Sequence, residues 1–148
     1  MKIRKNKTIN QTWVMWLDKL WRIIIHNRDG SVCQWCGTED SSKVYNAHHI
    51  FGRSNKSVRW YTPNGLKLCY YCHQHRKEQD PEGLRSRIIV KMGLKAYKNL
   101  YKKAITPLPF IDYLAWERSL LKELETLEVT IPPRPKRLPL VPFYMEDE

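Results

Sequence analysis

The chain has 148 residues, carries 26 Lys and Arg against 15 Asp and Glu for a formal charge of +11, and is 42% hydrophobic with six Trp and eight Tyr. That length and composition suit one domain with a real core and some appendages, which excludes wholesale disorder. The excess positive charge favours a polyanionic partner, either nucleic acid or an anionic membrane surface, and does not by itself choose between them.

Met1 to Gln11 reads as a basic arm with Lys2, Arg4, Lys5 and Lys7, able to lie along a DNA backbone. From Thr12 to His26 the residues Trp13, Trp16, Leu17, Leu20, Ile23 and Ile24 recur at helical spacing, which predicts a helix capped by Thr12 that packs on the rest of the core. Asp18, Lys19 and Arg22 interrupt this stretch, so it falls short of the ~20 apolar residues of a membrane span, and it lacks the cleavage site of a signal peptide. A cytoplasmic location is expected. In a reducing cytosol, cysteines hold metal more readily than they pair as disulfides.

Cys33 and Cys36 in VCQWCG, with Cys69 and Cys72 in LCYYCH, are the chain's four cysteines. Two such pairs predict a structural Zn2+ site of four thiolates, because a two-residue spacer turns both sulfurs of a knuckle toward one ion. Two reduced pairs or a redox CxxC are the alternatives. Gly37 suits the tight turn after the first pair. His48, His49, His73 and His75 gather between and beside the knuckles, leaving only His26 elsewhere. Lys43 to Asn46 and Val58 to Thr62 are β-prone, Pro63-Asn64-Gly65 signals a turn, and Leu66 to Leu68 leads into the second knuckle, where a helix carrying His73 and His75 is expected. Two strands and a helix would bring His48, His49 and His73 together.

The order His-His, Asn-Gly-Leu-x-Leu-Cys, Cys-His resembles the HNH endonuclease family over about Arg28 to Lys77, with His49, Asn64 and His73 at the name-giving positions. The resemblance implies a small ββα-metal core bracketed by zinc knuckles, hydrolysis of DNA phosphodiester bonds, and an Asn64 amide that bonds across the loop to hold the His49 segment. Many members have Asp before the first catalytic histidine, where this chain has His48; another branch has a His-His pair there. Phosphodiester hydrolysis needs a base for water, charge relief at the phosphorus and help for the leaving oxygen. A neutral imidazole suits the first task. His49 is therefore assigned as general base, and His48 with His73 as ligands of one catalytic divalent ion, Mg2+, Mn2+, Ni2+ or Zn2+. His75 should point away from His73 on a helix, or replace it as ligand if the helix starts late. A looser likeness, in the order of elements, is to phage recombination nucleases of the NinG (Rap) type, which act on branched DNA.

Seven basic residues and no acid lie between Ser41 and Lys77, and again between Leu84 and Ile111. In the first segment Arg53, Lys56 and Arg59 are candidates for gripping phosphates, while Trp60 and Tyr61 either stack on bases or fill a small core. In the second, a single helix is expected from Asp80 or Pro81 to about Ala104, with Arg87, Lys91, Lys95, Lys98 and Lys102 in a row on one face as a DNA-backbone surface. A further helix from Phe110 to Leu127 carries Leu114, Leu120, Leu121 and Leu124 for packing or dimerisation. From Val129 the chain is Pro-rich and reads as an extended arm, ending in the acidic Glu146, Asp147 and Glu148.

The expected fold is α+β, divided as 1–27 (arm and first helix), 28–79 (nuclease core with knuckles), 80–128 (basic and second helices) and 129–148 (tail). The expected function is a phage or mobile-element DNA endonuclease acting on duplex or branched DNA, as a monomer or homodimer and without a membrane. A non-catalytic zinc-dependent DNA- or RNA-binding module is the alternative.

Overall fold

A computed structural model describes residues 6–139; the first part of the basic arm, Pro142 and the acidic end lie outside them. Helix α1, Ile9–Arg28, begins one turn before the expected Thr12, because Thr8 and Gln11 form a reciprocal capping box. The Thr12 hydroxyl instead donates to the Thr8 carbonyl. One face of α1 buries Trp13, Trp16, Leu17, Leu20, Trp21, Ile24 and Ile25. Among the described residues no helix is long and apolar enough to cross a membrane.

A two-stranded antiparallel sheet follows, β1 Tyr45–His49 against β2 Gly65–Cys69, with His49 opposite Gly65 and Tyr45 opposite Cys69. The expected second strand at Val58 to Thr62 is not one. Those residues form turns whose amides bond locally, Val58 N–H to the Asn55 carbonyl and Tyr61 N–H to that of Val58. Their apolar character serves burial: Val58 packs with Leu100 and Ala104, and Trp60 joins the α1 core. After β2 the chain enters a π-helical turn, Cys72–Arg76, that continues as α2, Lys77–Gln79. The fold is α+β, with the second strand at Gly65–Cys69 rather than at the expected Val58 to Thr62.

The single helix expected over residues 80–104 is two helices, α3 Pro81–Met92 and α4 Leu94–Ile105. They break at Gly93, whose φ of 89° and ψ of 148° belong to a region essentially reserved for glycine. Helix α5, Tyr113–Thr126, is capped by Asp112 and lies on α1, with Leu120 and Leu124 fully buried there. Trp16 Nε1 donates to Glu117 across this contact at 2.6 Å, and Arg134 grips the same carboxylate from the tail. The tail, expected as an extended arm, makes a turn in which the Leu138 N–H bonds the Pro135 carbonyl, and it is pinned to the core as far as Pro139, with Leu138 buried.

The Arg28-Asp29-Gly30 lead-in joins α1 to the sheet. Arg28 donates to the carbonyls of Thr62 and Gly65, both at 2.7 Å, and Asp29 accepts from the Lys67 N–H. Gly65 is needed for closeness rather than for a turn: its backbone is extended, and a Cβ there would stand 2.7 Å from Trp21 and collide with Ile25.

Candidate metal centre and histidine cleft

The two knuckles bring Cys33, Cys36, Cys69 and Cys72 together, with one ligand atom from each all within 4.8 Å of one another. Cys36 Sγ and Cys69 Sγ are 3.8 Å apart, close to the ~3.8 Å edge of a tetrahedron with metal–sulfur bonds of ~2.3 Å. The four can hold a metal ion. Gly37, with φ of 75°, makes the turn that closes the first knuckle, its N–H bonded to the Cys33 carbonyl. Burial opposes ionisation of Cys33, yet nearby backbone N–H groups bring its thiol down to about 7. Burial, followed by the neighbouring sulfurs, pushes the Cys72 thiol far up. A dication held by the four sulfurs would reverse that repulsion.

His48 and His49 are consecutive on β1, so their side chains leave on opposite faces of the strand. The His49 ring lies flat on Trp21 of α1, centroids 3.9 Å apart and planes within 8°. The His48 ring meets His73 of the π-helical turn at 5.4 Å, nearly edge-on. His75 is exposed beside Tyr70 and Tyr71, so the pair with His48 is made by His73. Asn64 has no exposed surface; its Oδ1 accepts from Phe51 N–H at 2.8 Å, and its Nδ2 donates to the carbonyls of Phe51 and Val58. The amide thereby clamps the loop that follows His49.

His48, His49 and His73 line one cleft of about 460 Å3, shared with Asp18, Arg22 and His26 from α1, Asn46 from β1, Arg53 from the loop and Lys77 from α2. Asn46 Nδ2 is buried there with no hydrogen-bond partner among the described residues. His49 Nε2 lies 3.0 Å from the Arg59 carbonyl. A carbonyl only accepts, so the neutral ring carries its proton on Nε2 and keeps the Nδ1 lone pair. Burial lowers the pKa of all three rings, aided at His48 by the charges of His73 and Lys77, and His48 falls to about 3. At His49 the Arg59 carbonyl and Asp18 work against that shift. All three imidazoles are neutral at pH 7.

The expected phosphate-gripping residues are distributed unevenly. Arg53 stands in the cleft wall and Lys56 is exposed on the loop. Arg59 is spent internally: its guanidinium forks onto Asp18 at 3.0 and 2.8 Å, with 17% of the side chain exposed. The acid-free run of sequence concealed this pair because its acid comes from α1. Trp60 fills the core rather than a base-stacking surface, and the Tyr61 ring sits beneath Lys103. On α3, Arg87 donates to the Gln34 carbonyl and Lys91 to the Gln34 side chain, with Asp29 3.6 Å away, whereas Lys95, Lys98 and Lys102 are exposed on α4. The predicted row of five is a tied pair and a separate trio.

Sequence reasoning missed the contribution of α1 to the cleft. Asp18, Arg22 and His26 recur every fourth residue, a polar stripe beside the apolar face, and this was the signal available. Compared with known proteins, the chain matches no family model, no curated protein and no solved structure.

Proposed function

We propose that the chain is a metal-dependent DNA endonuclease of the HNH type, with a zinc ion on the four cysteines and one catalytic divalent ion held by His48 and His73. The observation that carries the reading is the convergence of His48, His49 and His73, all neutral, in one cleft whose loop is clamped by Asn64. A divalent ion bound there supplies charge relief at the scissile phosphate and at the leaving oxygen. His49 takes the proton of the attacking water at Nδ1, the nitrogen its carbonyl contact leaves free. Arg22, Arg53 and Lys77 draw the phosphate backbone into the cleft.

The test is cleavage of supercoiled plasmid, linear duplex and branched DNA with Mg2+, Mn2+, Ni2+ or EDTA, comparing wild type with His49→Ala. The expected result is metal-dependent cutting that EDTA abolishes and that His49→Ala reduces at least a hundredfold, the scale of a lost general base. Binding of DNA without cutting under every metal would replace this reading with that of a zinc-dependent nucleic-acid-binding module. The pattern over the three DNA forms separates a duplex cutter from an enzyme of branched recombination DNA.

A further inference from the structure

Asp18 stands where α1 meets the loop behind His49. One of its oxygens accepts from Arg59 Nε at 3.0 Å and from Trp60 Nε1 at 2.8 Å; the other accepts from Arg59 Nη2 at 2.8 Å. The peptide of the same Arg59 offers its carbonyl to His49 Nε2 at 3.0 Å. Trp21, three residues after Asp18 and so on its neighbouring turn, lies flat against the His49 ring at 3.9 Å. One stretch of α1 therefore reaches His49 by two routes, through the ring face and through the ring edge.

We propose that Asp18 is a positioning residue for His49, holding through its fork with Arg59 the carbonyl that selects the His49 tautomer, while Trp21 fixes the plane of the ring. A carbonyl orients an imidazole only as well as its own peptide is held. The loop carrying Arg59 is built of turns, without ladder bonds to a neighbouring strand. Asn64 anchors that loop at Val58, and Asp18 anchors it at the next residue from outside the loop. Release of the fork frees the Arg59 peptide to rotate, and the ring then samples the form with its proton on Nδ1, which has no lone pair there. The catalytic consequence rests on the reading of His49 as general base; the geometric one does not.

Asp18→Asn breaks one arm of the fork. Its remaining oxygen still serves Trp60 Nε1 and Arg59 Nε, while its amide faces Arg59 Nη2 donor to donor. Arg59→Gln breaks the fork from the other side and leaves the backbone carbonyl in place. In the full-length zinc-bound protein at fixed neutral pH, 15N NMR of the His49 ring should report the Nε2–H tautomer in wild type and a mixture in both variants. Cleavage of a duplex oligonucleotide with Mn2+ should show kcat lower by about tenfold to a hundredfold with KM within about twofold, the range typical when a partner that orients a functional side chain is lost. The zinc content and the circular dichroism should be those of wild type. Should Asp18→Asn not fold, Arg59→Gln carries the same comparison. Unchanged nitrogen shifts overturn the proposal, and so do altered shifts with an unchanged kcat. A wild type that cuts no DNA defeats the general-base reading instead, and the nitrogen shifts alone then decide whether the clamp on His49 exists.

Discussion

Asn64 shows what one side chain contributes when it is wholly buried and every polar atom is used. Replacing it with Ala leaves the Phe51 N–H and carbonyl without their Asn64 partner in a dry site and the Val58 carbonyl with the Tyr61 N–H alone. A single buried unsatisfied group costs about 1 to 3 kcal/mol, so Asn64→Ala should lower stability by about 2 to 4 kcal/mol. Urea unfolding of the protein prepared with Zn2+ measures this, and an unchanged midpoint would mean that the amide does not hold the loop. His48 makes a different prediction, because burial holds its pKa at about 3, against an ordinary value near 6.5. As pH falls below 6.5 the unfolded chain takes up this proton first, so stability is full above 6.5 and declines as pH drops toward 3. The steepest loss from this one group is ~1.4 kcal/mol per pH unit. His48→Gln should flatten the curve of stability against pH over that window, without added divalent ion. Zinc loss on acidification affects both proteins alike, so parallel curves would refute the buried neutral ring.

Elements differ in how much of them could be read before folding, and the reason is the distance over which each is determined. Helix α1 and the knuckles follow from spacing within a few residues, and the Asn64 turn and the helical segment after the second knuckle lie where their short motifs put them, whereas β2 takes the run that sequence reads only as a lead-in to that knuckle. Val58 to Thr62 was misread because its β-branched and aromatic side chains answer to burial in two separate clusters, and no strand lies beside them to pair with. The helix over residues 80–104 breaks at Gly93, where a periodic pattern continues across a backbone that turns. The Asp18–Arg59 pair was illegible for a simpler reason: its partners are 41 residues apart and each looks like ordinary solvated charge in its own segment. The knuckle pair supplies the element-scale prediction. Cys69 both ends β2 and contributes to the sulfur cluster, so Cys69→Ser should abolish stoichiometric zinc and, with it, cooperative folding, since structural zinc in small domains contributes ~10 kcal/mol or more. Metal analysis and thermal melting test this; a folded, zinc-free and equally stable variant would remove the structural role of the site.

For the molecule as a whole, the proposed nuclease reading raises the question of which of its many cations would meet DNA. The net charge of +11 counts residues whose fates differ. Arg59 is neutralised by Asp18, and Arg134 by Glu117. Arg87 and Lys91 bond Gln34, inside the first knuckle. Lys95, Lys98 and Lys102 instead stand exposed on α4, with no acidic partner among the described residues, and successive spacings of three and four place them on one face. Phosphate contacts release counterions, and each contributes a slope of about 0.9 to the logarithmic dependence of affinity on salt. Changing Lys95, Lys98 and Lys102 together to Gln should therefore reduce that slope by about 2.7, with folding unaltered because the side chains touch solvent. Changing Arg87 and Lys91 to Gln should move the slope much less and lower the melting temperature instead, because their loss loosens Gln34 beside the cysteines. Fluorescence anisotropy on a short duplex over a range of salt concentrations measures both slopes. Equal slopes for the two sets of variants would contradict the division of the basic residues into a structural pair and a DNA-facing trio, and would return α4 to the status of solvated surface.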